Sequence, residues 1–303
     1  MRQVAVVCTR NRPVEVGHCL AAIAAADFSG DIYVIDASDD IERAAVERAV
    51  ASFGHRAQFL SAPTVGLARQ RNYALRCTQG EYDLIHFLDD DALPHPSYFT
   101  AIEQQFSMSA AVGGVGGVVV NQEPVRHALF KRIFLLHSMK PGAMLKSGRN
   151  VIGHYPEQGT TPRNVAWLPG CCMSYRLSAC RSLRFDDRLE GYSWGEDFDF
   201  SNRLSDDWRL IVEPKATCIH SLSPTNRMEM ERLASGRTFL LHRWVTENRG
   251  RGYSRLAFWW SVAGEFALRA GHGIYEPSSR RIASGVLKGA SRICVDSLRT
   301  FRQ

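Results

Sequence analysis

The stretch LIHFLDDDALP, residues 84–94, ends a hydrophobic run by crowding Asp89, Asp90 and Asp91 together. Like charges repel, so the cluster has one of two origins. Asp is common in turns and helix caps, where solvent screens it. Alternatively, adjacent carboxylates offer hard oxygen ligands to a divalent cation. The apolar lead-in reads as a buried strand whose carboxyl end carries the acids, and open α/β sheets bind ligands at those ends.

The elements around this stretch alternate in type. VAVVC (4–8), DIYVIDASD (31–39), AQFLSAP (57–63) and YDLIHFLDD (82–90) read as strands. Between them, 13–26, 41–54 and 66–78 read as helices, with Pro13 in a first turn and Gly54 as a stop. A helix over 96–107 and a Gly-rich strand over 112–120 follow. The pattern predicts βαβ units, a mostly parallel sheet and an α/β fold. The glycines of VGGVGGVVV do not fit G-x-G-x-x-G and do not open the fold, which excludes a Rossmann dinucleotide site. VRHALFKRIFLLHSM (125–139) has apolar residues at helical spacing, the rest of 121–165 reads as loop, and order returns at 165–177.

The 303 residues suffice for one large domain or two small ones. Eight cysteines without a Cys-x-x-Cys pair, and an N-terminal apolar run too short for a secretory leader, predict reduced thiols in a cytoplasmic protein. The net charge of +6 is uneven: residues 249–303 hold ten Lys and Arg against three acids, +7, leaving about −1 elsewhere. That asymmetry predicts an anionic partner for the tail, membrane or nucleic acid. RLAFWWSVAGEFALR (255–269) is too short and too charged to span a bilayer, 279–302 is basic and amphipathic, and both read either as helices packed on the core or as helices in membrane contact.

Five features occur in order: TRNR (9–12), VIDASD (34–39), GLARQRN (66–72), FLDDDALP (87–94) and GYSWGEDFDFSNRL (191–204), followed by CIHS (218–221). Together they resemble the family 2 glycosyltransferases of the GT-A fold over about residues 3–225. The resemblance implies a metal-dependent, inverting transferase that uses a nucleoside diphosphate sugar. It sets Thr9 against the nucleotide and Asp36 against the imide N–H of uracil or thymine. A carboxylate only accepts, so it selects a base edge that donates. Asp36 reads otherwise as a cap for the helix at 41–54. Arg71, paired with Asn72, falls where the family meets the pyrophosphate with a planar two-pronged donor, and Arg69 reads as an exposed surface residue. Asp89 is implied on the ribose side or through water, Asp90 beside it in the nucleotide-sugar site or in a structural role, and Asp91 as a direct ligand of Mn2+ or Mg2+. His220 matches a family histidine that completes the metal shell and tilts preference toward Mn2+. Asp197 matches the general base and Glu196 its acceptor-orienting neighbour. Trp194 reads either as a sugar-stacking ring or as a buried aromatic.

The expected organisation is a GT-A domain over 1–248, with a nucleotide-binding half (1–120) and an acceptor half (121–248), and a basic helical extension over 249–303. The expected donor carries UDP or dTDP. The expected acceptor is a glycan, glycolipid or lipid-linked saccharide in cell-surface polysaccharide or glycolipid synthesis. The expected location is cytoplasmic, peripheral on the inner face of the plasma membrane. A sugar nucleotidyltransferase is the main alternative, but TRNRP lacks the glycines of a triphosphate loop. An inactive nucleotide-binding or membrane-docking module is opposed by the intact acidic motifs. A nucleic-acid binder is opposed by the lack of a reading module in the tail.

Overall fold

A computed structural model describes residues 1–26, 28–123, 129–156, 159–188, 194–223 and 228–300, without the side chains of 297–300. The chain divides into two compact units, Met1–Pro124 with Ile152–Asn226, and Val125–Val151 with Arg227–Gln303.

In the first unit, β1 (Gln3–Thr9), β2 (Asp31–Asp36), β3 (Ala57–Ser61) and β4 (Leu84–Asp89) alternate with α1 (Pro13–Ala25), α2 (Asp40–Ala51) and α3 (Leu67–Thr78). β1 and β4 are buried almost throughout, as expected of parallel strands covered on both faces. α1 buries Val16, Cys19, Leu20 and Ile23, the i, i+3, i+4, i+7 stripe of an amphipathic helix, and opens with Pro13. β5 (Ala92–Pro94), α4 (Tyr98–Met108) and β6 (Val112–Val119) follow. The chain passes through α5 (Leu129–Ile133), in the second unit, and returns as β7 (Arg163–Val165), β8 (Cys172–Arg176), α6 (Glu196–Leu204) and β9 (Arg209–His220).

The strands form one mixed sheet of order β3-β2-β1-β4-β8-β6-β9-β5, with β7 on β9. The β1–β4 part is parallel. The later half is mixed, since β8, β5 and β7 pair antiparallel while β6 and β9 run parallel. The glycines of β6 serve close packing: a Cβ at Gly117 would lie 2.6 Å from the Tyr98 ring and 2.7 Å from the Ala216 carbonyl. Fully buried apolar residues fill both sheet faces, Val7, Leu20 and Ile102 on one side, Val6, Phe87 and Tyr175 on the other.

The second unit holds α5, α7 (Met230–Glu247), α8 (Arg255–His272) and α9 (Pro277–Thr300). The helix read over 125–139 ends at Ile133 rather than 139, and its part before 129 lies outside the described residues. Phe134 leaves that helix to stack on Trp260 with ring centroids 4.6 Å apart. Among the described residues, no helix is long and apolar enough to cross a membrane. All eight cysteines are free thiols.

Candidate active site

β4 ends at Asp89, and the chain turns at once through Asp90 and Asp91 into β5. The antiparallel β5–β9 pair sets Ala92 opposite His220, which brings the imidazole to the acids. His220 Nε2 lies 2.9 Å from Asp91 Oδ1 and 3.8 Å from Asp89 Oδ2. One ligand atom from each of Asp89, Asp91 and His220 falls within 4.8 Å of the others. Burial alone would lower the His220 pKa, but hydrogen bonds to Asp91 and Cys171 push it up to about 11. Burial raises Asp91, yet the imidazole, the Ser223 N–H at 2.9 Å and Arg12 hold it below the usual carboxylate range. Two carboxylates that draw a proton onto a facing imidazole are a cluster that wants positive charge. Two hard oxygens and one imidazole fit Mn2+ or Mg2+ as a donor set.

Asp90 faces the other way. Its Oδ2 accepts from the Thr9 hydroxyl at 2.7 Å and its Oδ1 from Arg12 Nη1 at 2.7 Å. Burial pushes its carboxyl up to about 6 against those two donors. Thr9 and Asp90 thus spend these polar atoms on tying the loop after β1 to the loop after β4.

Gly195, at φ +94°, turns the chain so that Glu196 and Asp197 occupy the first turn of α6, where the helix dipole favours carboxylates. A Cβ at Gly195 would also strike the Phe198 ring at 2.6 Å. Asp197 is pinned by backbone: its Oδ2 accepts from Gly170 N–H at 2.9 Å and its Oδ1 from Phe198 N–H at 2.8 Å. Burial pushes Asp197 up, with Arg71 and the two N–H groups opposing. Burial likewise pushes Glu196 up, and neighbouring Asp197 adds to that while Arg71 opposes.

Arg71 connects the two acidic clusters. Only 2% exposed, it donates to Glu196 Oε1 at 2.7 Å, to Asp89 Oδ1 at 3.1 Å and to the Gly170 carbonyl at 3.0 Å. Its fork thus binds protein acids in this structure, not an open face. Asn72 pins the Phe185 backbone through both N–H and C=O, at 2.8 and 2.9 Å. Arg69, read as a surface residue, is half-buried.

Asp36 ends β2 and is fully buried. Its Oδ1 accepts from the Ser38 hydroxyl, while Oδ2 has no hydrogen-bond partner and stands 3.9 Å from Arg43 Nε. The cap position of α2 is taken by Asp39 instead. Trp194 is half-buried, edge-on to Phe198 at 5.3 Å, and residues 191–193 of its motif lie outside the described residues. Asp199 pairs with Arg203 along the helix, in keeping with no chemical role.

Sequence reading assigned no role to Arg12 or Gly170. Arg12 stood in the quoted TRNR, but nothing local shows that it reaches Asp90 and Asp91. Gly170 is a loop glycine whose N–H and C=O hold Asp197 and Arg71.

The site is thus a parallel half-sheet with acids at its carboxyl edge, joined to a second acid pair by a buried arginine. The family model described as glycosyl transferase family 2 matches residues 4–184. The chain belongs to that family. No curated protein matches it in sequence. The mannosyltransferase PcManGT from Pyrobaculum calidifontis, solved in complex with GDP-Man and Mn2+, aligns with a TM-score of 0.58 at 16% identity, over 95% of this chain and 87% of its own. GalNAc-T7, solved with UDP, GalNAc and Mn2+, gives 0.60 at 10% identity, over 79% of this chain and 48% of its own. S. aureus TarS 1–349 gives 0.53 at 14% identity, over 90% and 74%. At these identities the likeness is one of fold.

Proposed function

We propose that this family member is an inverting glycosyltransferase that moves a sugar from a nucleoside diphosphate sugar to an acceptor hydroxyl. The observation that carries the reading is the convergence of Asp89, Asp91 and His220 beside a backbone-pinned Asp197. Asp89, Asp91 and His220 would hold Mn2+ or Mg2+, which when bound neutralises charge on the departing diphosphate. Two of the aligned structures carry Mn2+ with a nucleotide or nucleotide sugar, which favours Mn2+.

Asp197 is the base. Its carboxylate is fixed by two N–H groups that leave lone pairs for the acceptor proton, and it is less buried than Glu196. It takes that proton as the new bond to the anomeric carbon forms and the bond to phosphate breaks on the opposite face, which inverts the centre. Glu196, held by Arg71, orients the acceptor. Arg71 positions Glu196 and Asp89 against each other. Asp36, with Thr9 and Asp90 nearby in the nucleotide site, accepts the base N–H on its Oδ2, which makes no hydrogen bond. Because Asp36 is fully covered, the base reaches it only as the covering side chains move aside.

The donor is then a UDP or dTDP sugar, the acceptor a glycan, glycolipid or lipid-linked saccharide, and the second unit attaches the protein to an anionic membrane. Calorimetry with UDP, dTDP and GDP in the presence of Mn2+ tests the donor reading. Tighter binding of UDP or dTDP is expected, and equal or tighter binding of GDP overturns the role given to Asp36.

A further inference from the structure

α8 is amphipathic in the unusual direction. Its exposed residues include Leu256, Trp260, Ala263, Ala267 and Ala270. At 3.6 residues per turn these fall within roughly 80° of one another, a continuous apolar stripe on the solvent side. Its one acid, Glu265, lies about 180° from the centre of that stripe, turned inward onto Arg149. Leu256 is 84% exposed and Trp260 48%. α5 extends the stripe: Trp260 Nε1 donates to the Ile133 carbonyl at 2.8 Å, and Leu129 and Ile133 are 68% and 54% exposed.

A contiguous exposed apolar patch marks a surface that something apolar covers. Charge identifies the occupant. The second unit holds 20 Lys and Arg against 6 Asp and Glu, +14, while the first holds 17 against 25, −8. Lys131 and Arg132 lie in α5, and Arg255 adjoins Leu256. An apolar stripe bordered by cations fits a surface that is anionic outside and hydrocarbon within. A second copy of this chain paired through the same face would bring like charge. A nucleic acid would leave the apolar stripe in water.

We propose that the exposed face of α8, continued by Leu129 and Ile133 of α5, is the docking surface for an anionic phospholipid bilayer. The stripe seats at the headgroup–acyl boundary with the exposed part of the Trp260 ring, and the bordering cations meet lipid phosphates. This rests on the membrane attachment proposed above and assigns it to particular residues. It is independent of the donor and metal readings.

The test is vesicle co-sedimentation of the full chain, with phosphatidylcholine vesicles made with and without phosphatidylglycerol, at low and high salt. Binding to the anionic vesicles that weakens with salt is expected. Leu256→Glu with Ala267→Glu should weaken it by about tenfold or more, since both place charge in the stripe. Leu287→Glu with Val295→Glu makes the same charge change on exposed sites of α9 and should weaken it clearly less. Thermal melts and Mn2+-dependent UDP affinity should match wild type in both variants, so that loss of docking is separated from loss of fold or of the nucleotide site. The proposal is overturned if wild type ignores anionic vesicles at low salt, or if the two variants lose binding equally. It is also overturned if Leu256→Glu dissociates a dimer.

Discussion

Gly170→Ala gives a direct test of how finely Asp197 is held. An added Cβ would lie 3.2 Å from Arg71 Nη2, 3.2 Å from Asp197 Cβ and 3.3 Å from Asp197 Oδ2. Ordinary contact begins at 3.4 Å, so these neighbours must shift by a few tenths of an ångström. The backbone at 170 is not in the left-handed region, so alanine brings crowding without backbone strain. A misplacement of about 1 Å at a catalytic group costs roughly 10²-fold, so about 0.3 Å scales to roughly fourfold. The assay is hydrolysis, with water as acceptor, of whichever sugar linked to the nucleotide chosen by calorimetry turns over in wild type, compared across wild type, Gly170→Ala, Asp197→Asn and the double variant. Gly170→Ala should lower the rate about fourfold and leave UDP affinity within about twofold. In the Asp197→Asn background it should cost almost nothing, because the two changes act through one group. An unchanged rate, or the same fourfold loss in both backgrounds, refutes the idea that Gly170 acts by seating Asp197.

Three further outcomes are expected. Asp197→Asn should cut transfer by roughly 10² to 10⁴-fold with donor affinity nearly intact, and near-wild-type turnover would shift the base assignment to Glu196. Asp91→Ala should weaken Mn2+-dependent UDP binding itself, because it removes a carboxylate facing His220 and Asp89; calorimetry with unchanged affinity and metal dependence would remove these acids from the metal site. His86 is fully buried, its Nε2 donating to Gln3 at 2.9 Å and its Nδ1 accepting from Ser174 at 2.8 Å, and burial lowers its pKa from 6.5 to about 3. The unfolded chain therefore takes up this proton first, so stability is present above pH 6.5 and lost toward pH 3. The loss from this group reaches about 2 kcal/mol at pH 5. Urea unfolding should show His86→Gln losing less between pH 7 and 5 than wild type, and equal losses would contradict the assignment.

Local pattern carried much of the first unit. The continuous apolar runs of β1 and β4 and the i, i+4 stripe of α1 are legible because burial imposes a period that a single chain segment records. The acids at 89–91 were equally legible, since an open sheet presents the carboxyl ends of its strands. β5 and β9 were not read as strands: β5 has three residues, and β9 is interrupted by Glu213, Pro214 and Lys215. α7 was missed because its apolar residues are spread among Arg232, Arg237 and Arg243.

What the sequence by itself determined was therefore the alternation of strands and helices, the segregation of positive charge, and the residue types available for chemistry. Which of three consecutive aspartates faces which partner was decided by tertiary structure alone. Asp90 turns to Thr9 and Arg12 while Asp89 and Asp91 turn to His220, because successive side chains leave a turn in different directions and only the strand pairing fixes the partners. The role of Arg71 was decided the same way. In isolation it is a cation on a helix; folded, it is desolvated between Glu196, 125 residues away, and Asp89. A buried guanidinium is tolerated only with such partners, and no local pattern names them.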